Sequence, residues 1–156
     1  MDEKADNRAG TLLLDLRDTA GQARFQAFRN QELERLSPHA CLICFSTVDQ
    51  KSFVNARSGW IKLARTLFPR CPVVLVGTKS DLRGRGNGWE VDVNEAHRLA
   101  HKWNSQYIEC SAYTSDKLKW LFDQVTLSRG IFLTSLKVIV LMLDPPRTSG
   151  CSCTII

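Results

Sequence analysis

Three short apolar runs in this chain each end in a polar, turn-forming loop, and that repeated arrangement limits the folds open to it. Residues 11–16 lead into Asp18-Thr19-Ala20-Gly21-Gln22, residues 72–76 into Gly77-Thr78-Lys79-Ser80-Asp81, and Tyr107-Ile108 into Glu109-Cys110-Ser111-Ala112. The stretches between them carry apolar residues at three- and four-residue steps. Strands alternating with helices predict an α/β fold, with a mainly parallel sheet flanked by helices. In such folds ligands bind at the carboxyl ends of the strands, where these three loops would gather.

The remaining elements follow from local pattern. Residues 23–36, with Phe25, Phe28, Leu33 and Leu36 interspersed, read as a loop passing into a helix, and residues 40–45 as a buried strand. From Asp49 as N-cap, Phe53, Ala56, Trp60, Ala64 and Leu67 define one face of an amphipathic helix. Pro69 and Pro72 end it, and residues 73–76 form a strand. Residues 83–88 make a glycine-rich turn that lacks the Lys-Ser/Thr ending of a phosphate cradle. Asp92 and Glu95 form a capping box for a helix with Val93, Ala96, Ala100 and Trp103 on one face. A strand at 106–109 and a helix at 116–127 follow. Residues 131–143 are apolar apart from Thr134, Ser135 and Lys137. A bilayer span takes ~20 residues, so this run reads as a buried helix end or strand. Pro145 and Pro146 then stop regular structure.

Length and charge narrow the function. A chain of 156 residues fits one domain with a real core. The net charge of +5 is scattered, with no block of five or six basic residues, which argues against a nucleic-acid surface. No cationic segment precedes an apolar one at the N-terminus, so a reducing cytoplasm and free thiols are expected. Cys41 and Cys44, three apart in a strand, point to opposite faces and read as core thiols, not a metal or redox pair. His97 and His101 have metal-ligand spacing on a helix but no third ligand, and read as a solvated face.

In order and spacing, the three loops resemble those of small GTPases of the Ras superfamily. The wording of Phe45-Ser46, Ser52-Phe53, Trp60, Cys71-Pro72 and residues 74–83 is similar to the Rho/Rac branch. The resemblance covers roughly residues 11–127 and implies a small G-protein version of the P-loop NTPase fold, with GTP/GDP and Mg²⁺ as ligands. Asp18 resembles the acidic residue that holds Mg²⁺ through water. Gly21 resembles the residue whose N–H meets the γ-phosphate, and Gln22 the catalytic glutamine that orients the attacking water. Thr78-Lys79-Ser80-Asp81 resembles the [NT]-K-x-D guanine motif, with Thr78 in the Asn position. A carboxylate such as Asp81 accepts two hydrogen bonds from the N1 and N2 edge of guanine, whereas adenine offers no such pair of donors. The aliphatic stem of Lys79 can cover the ring face. Ser111 and Ala112 resemble the loop whose backbone N–H contacts guanine O6.

The resemblance begins at the family's third strand. Residues 1–10 read as a disordered lead-in, with no counterpart to the first strand, phosphate loop, first helix, switch I or second strand. No G-x-x-x-x-G-K-[ST] occurs in the chain. The expectation is an incomplete, truncated domain at 11–130. The family's first strand lies at the sheet centre, between the third and fourth, so its absence should leave two neighbours with unpaired backbone groups and an open core. Val138-Ile139-Val140-Leu141 could help fill that opening, although an altered reading or splice product is the plainer account of this apolar segment.

Within residues 131–156, the apolar segment and tail, Cys153-Thr154-Ile155-Ile156 fits a C-a-a-X prenylation box. One lipid anchors only reversibly, so Cys151 is the candidate for palmitoylation as a second signal. Two functions are implied. One is a Rho-like, membrane-associated GTP-binding switch at the inner face of the plasma membrane, meeting effectors and regulators through its switch II region. The other is a non-catalytic pseudo-GTPase or truncated product acting by partner binding alone.

Overall fold

The computed structural model describes residues 13–19, 26–85, 88–127 and 135–142. Residues 1–10, Gly21, Gln22, Cys151 and Cys153 therefore lie outside the described residues. Among the described residues, five strands form one sheet: β1 (Leu13–Thr19), β2 (Ala40–Ser46), β3 (Val73–Thr78), β4 (Gln106–Glu109) and β5 (Ser135–Met142). Their order is β1-β5-β2-β3-β4, and every neighbouring pair is parallel. The helices are α1 (Gln26–Glu34), α2 (Gln50–Asn55), α3 (Ile61–Leu67), α4 (Val93–Lys102) and α5 (Leu118–Leu127).

Strands covered on both faces read as continuous apolar runs, and β2 and β3 do. Cys41, Ile43, Phe45, Leu75, Ile139 and Leu141 face the layer built by α1 to α4. Ala40, Leu42, Cys44, Val74, Val76, Val138 and Val140 face Leu121 and Val125 of α5. Cys41 and Cys44 thus point to opposite faces, and burial pushes both thiols well above the ordinary range.

Asp49 caps α2 by accepting from the N–H groups of Lys51 (2.9 Å) and Ser52 (3.3 Å). A π-helical turn at Ala56–Trp60 joins α2 to α3 and keeps Ala56, Trp60, Ile61 and Ala64 all inside. At α4 only half of the expected capping box forms. Asp92 accepts from Asn94 N–H at 2.8 Å, but Glu95 pairs instead with Arg57 at 3.0 Å. Val93, at the solvent end of α4, is 39% exposed, and Leu99 takes the core position expected of it.

The largest departure from the sequence reading is β5. The expected opening at the sheet centre is closed, because β5 pairs with β1 through Leu136↔Leu14, Val138↔Leu16 and Val140↔Asp18. On its other edge it pairs with β2 through Val138↔Ala40, Val140↔Leu42 and Leu141↔Ile43. The neighbours that should have lost their partner both have one. The physical reason lies in residues 138–141, which are apolar, mostly β-branched and 0–8% exposed. Burying four such side chains is worth about 2 kcal/mol each, a sum comparable to a domain's whole net stability. Polar bonds fix the register: Lys137 N–H donates to His39 Nδ1 (3.0 Å), and Thr19 Oγ1 to the Val140 carbonyl (3.0 Å). Among the described residues, no helix is long and apolar enough to cross a membrane.

Candidate functional site

The loops after β3 and β4 meet at the carboxyl edge of the sheet. Thr78, the last residue of β3, donates through Oγ1 to the Phe45 carbonyl at 3.0 Å, which fixes the end of β3 against β2. Lys79 then turns the chain in the left-handed region (φ 61°). That conformation costs a non-glycine residue about 1 kcal/mol or more, and it persists because its surroundings enforce it. The enforcing residue is the fully buried Thr47, whose Oγ1 donates to the Lys79 carbonyl at 3.1 Å. Thr47 also donates its N–H to Thr78 O (2.9 Å) and accepts from Val91 N–H (2.8 Å). The Lys79 side chain is left exposed, with its stem available to a flat ligand.

A 3₁₀ turn at Ser80–Leu82 presents Asp81 to the β4 loop. Ser111, fully buried, donates its Oγ to Asp81 Oδ1 at 2.5 Å. The same Oγ accepts from Tyr113 and Thr114 N–H at 3.2 Å, so the hydroxyl is oriented toward the carboxylate. Ser80 N–H donates to Cys110 O (3.2 Å), and Cys110 N–H to Gly77 O (2.9 Å). Asp81 is only half-buried, and an ionised carboxylate has about four lone-pair sites, so one bond from Ser111 leaves acceptor capacity. Ala112 lies exposed beside it in sequence. The loop that carries Thr78, Lys79 and Asp81 thus meets the loop that carries Ser111 and Ala112.

Sequence reasoning missed a second set of residues around this cluster. Arg83 forms a two-pronged bond to Glu109, Nε to Oε2 at 2.8 Å and Nη2 to Oε1 at 2.7 Å. Tyr107 donates its hydroxyl to Glu109 Oε1 at 2.6 Å. Burial pushes the Glu109 carboxyl up, but the hydrogen bonds from Arg83 and Tyr107 outweigh it and hold the group below its ordinary range. Burial and the Glu109 bond raise the Tyr107 phenol, keeping it a donor. Gly77 makes room for this set, since a Cβ there would stand 2.6 Å from the Tyr107 hydroxyl and 2.9 Å from Thr47 Cγ2. Arg83 and Glu109 sit beside the sequence motifs, but nothing in their spacing marks them as partners. Cys110 is pushed up to about 11 by burial, then by Asp116 and Glu109, and stays a thiol at neutral pH.

Asp18 belongs to the other end of the edge. It lies near the end of β1, opposite Val140 and exposed, and its charge is felt by the Cys44 thiol. Two strands separate β1 from β3, a lateral distance of about 14 Å at normal strand spacing. The structure therefore places Asp18 at the same carboxyl edge as the β3 and β4 loops but away from them. A single exposed carboxylate fits Mg²⁺, which keeps several waters and takes one or two protein carboxylates alongside phosphate oxygens. No group of three candidate metal-binding side chains occurs among the described residues. His97 and His101 line an open cleft of about 380 Å³ with Tyr107 and Trp120, and both are exposed, as expected of a solvated face.

The Ras family model matches residues 2–129, which takes in β1 through α5 and stops short of β5. The Rho-related GTP-binding protein RhoV of Rattus norvegicus is 40% identical over 126 residues, covering 74% of this chain and 52% of the relative. The Homo sapiens RhoV is 38% identical over 126 residues with the same coverage. The chain spans about half the length of the curated relatives it matches.

Proposed function

The chain belongs to the Ras family of small GTPases and is Rho-like, and from that premise we propose that it binds guanine nucleotide through the β3 and β4 loops, in small-GTPase signalling. The observation that carries this is the Ser111–Asp81 bond at 2.5 Å, which aims a carboxylate out of a rigid loop pair. Asp81 accepts from the N1 and N2 donors of guanine, the Lys79 stem lies along the ring, and the loop of Ser111 and Ala112 offers N–H to O6. Asp18 is the residue that would hold Mg²⁺ through water, and bound Mg²⁺ would neutralise phosphate charge. Gln22 would orient the water for hydrolysis, with Gly21 donating its N–H to the γ-phosphate. Competition between labelled GTP and excess GTP or ATP tests the base site. Displacement by GTP but not ATP is expected; equal displacement contradicts the assignment.

A second reading, a non-catalytic protein that acts by binding effectors or regulators through the switch II region, is favoured by β5. That strand fills the position which, by resemblance, belongs to the strand leading into the phosphate loop. Gln22 can orient a water only against a γ-phosphate held in line. Single-turnover hydrolysis with a Gln22→Leu control separates the two, a rate abolished by the substitution restoring the enzyme.

For location, the reading is membrane association at the inner face of the plasma membrane through prenylated Cys153, with palmitoylated Cys151 as the second signal. Cys153→Ser should release tagged protein to the cytosol, while Cys151→Ser weakens retention. An unchanged distribution of Cys153→Ser contradicts the anchor.

A further inference from the structure

We propose that Arg83 is the positioning residue of the base site: by clamping the Asp81 turn to the end of β4, it fixes the carboxylate in the orientation that separates guanine from related purines. The inference rests on the assignment of Asp81 as the acceptor of the base. Two segments meet here, residues 80–83 and residues 109–111, and successive bonds join them like rungs. Ser80 N–H reaches Cys110 O (3.2 Å), Ser111 Oγ reaches Asp81 (2.5 Å), and Arg83 grips both oxygens of Glu109 (2.7 and 2.8 Å). The two side-chain rungs are offset by two residues on each segment, so a shift at Arg83 carries directly to Asp81.

The guanidinium does more than form an ion pair. Its Nη1 donates to the Val91 carbonyl at 2.9 Å, and Glu90 Oε2 lies 3.8 Å away. Glu90 in turn accepts from Gly84 N–H at 2.7 Å, which closes the short turn between the Asp81 loop and α4. Arg83 also donates its own backbone N–H to Ser80 O at 3.2 Å, stapling the 3₁₀ turn that carries Asp81. One side chain thus joins three elements: the 3₁₀ turn, the entry to α4 and the end of β4. The Arg83 and Glu109 side chains are 20% and 17% exposed, so the pair is largely shielded from competing water. A planar fork with five donors can make this set of bonds together, whereas an ammonium cannot.

Hypoxanthine keeps the N1 donor of guanine and lacks the 2-amino group, so the ratio of guanosine to inosine monophosphate affinity reads the orientation of Asp81. Loss of one hydrogen bond to a charged group corresponds to about 10-fold or more in that ratio. Isothermal titration of the whole chain with both nucleotides, for wild type and Arg83→Lys, tests the proposal. The wild type should prefer guanosine monophosphate by about 10-fold, and Arg83→Lys should reduce the preference by at least ~3-fold. If Arg83→Lys weakens both ligands in proportion and leaves the ratio unchanged, Arg83 is merely structural and the proposal is overturned. If the wild type shows no preference and Asp81→Ala binds as well as it does, the base assignment itself falls, and the proposal with it. Should Arg83→Lys fail to fold, Glu109→Gln removes the charge on the other side of the clamp and must lower the same ratio.

Discussion

At the β3–β4 end of the carboxyl edge, the loops are held by a dense set of polar bonds running through Thr47, Lys79, Asp81, Ser111, Arg83 and Glu109. At the β1–β5 end, the described residues offer one exposed carboxylate, Asp18, beside a strand from beyond the family match. The first end is the proposed recognition site, and its parts are close in sequence to the motifs that announce them. The second is closed by hydrophobic burial: residues 138–141 supply a central strand between β1 and β2. The difference teaches that sheet completion and phosphate binding ask different things of a sequence. The one needs apolar residues of the right period, and the other needs specific glycines and a lysine.

The sharpest way to break this comparison is to attack β5. Ile139, 1% exposed, should not tolerate Ile139→Asp, which deletes a buried aliphatic group worth about 2–5 kcal/mol and leaves an unpaired charge in its place. Loss of the cooperative urea transition is expected, while the exposed Lys137→Gln should shift stability by about 0.5 kcal/mol or less. A wild-type transition in Ile139→Asp would mean that the sheet does not depend on β5.

The other end breaks more locally. Asp81→Ala should cut guanine nucleotide affinity ~100-fold, from the loss of two charge-assisted bonds worth about 1.5 kcal/mol each, and should erase the preference over adenine. Circular dichroism should show the fold intact, in contrast to Ile139→Asp.

A smaller effect is expected at Gly77. Gly77→Ala must push aside the Tyr107 hydroxyl and Thr47 Cγ2, an overpacking cost of about 1–3 kcal/mol measurable by thermal unfolding. The smallest concerns Glu109. Its folded-state pKa is lowered, so its contribution is present above the ordinary carboxylate value of about 4.3 and is lost as pH falls through the folded value. The stability gap between wild type and Glu109→Gln, about 1 kcal/mol or less once residual solvent screening is counted, should therefore close in acid and stay constant near neutrality. A gap that widened on acidification would refute the clamp as drawn.

Much of this was legible in the sequence. The apolar runs of β2 and β3, the Asp49 cap and the loop residues Thr78, Lys79, Asp81, Ser111 and Ala112 all follow from period, capping chemistry and motif order. What escaped was whatever depends on register between distant segments. Residues 138–141 read as a candidate filling of the open core, with an altered reading or splice product as the plainer account, because a parallel strand's neighbours are set by topology and not by its own pattern. Thr47, Arg83 and Glu109 escaped for the same reason: each is an ordinary polar residue until the sheet places it opposite its partner. Glu95 looked like half of a capping box, and only the packing of α4 near Arg57 redirects it.

The most direct test of the contrast between the two ends is a ligand ladder: calorimetric titration of the whole chain with guanosine, GDP and GTP, each with and without Mg²⁺. If base recognition survives while β5 fills the place of a phosphate-loop strand, the three affinities should lie within about 10-fold of one another and depend little on Mg²⁺, a spread of roughly 1.4 kcal/mol. GTP binding orders of magnitude tighter than guanosine, and dependent on Mg²⁺, would show that this chain grips phosphate after all and would contradict the account.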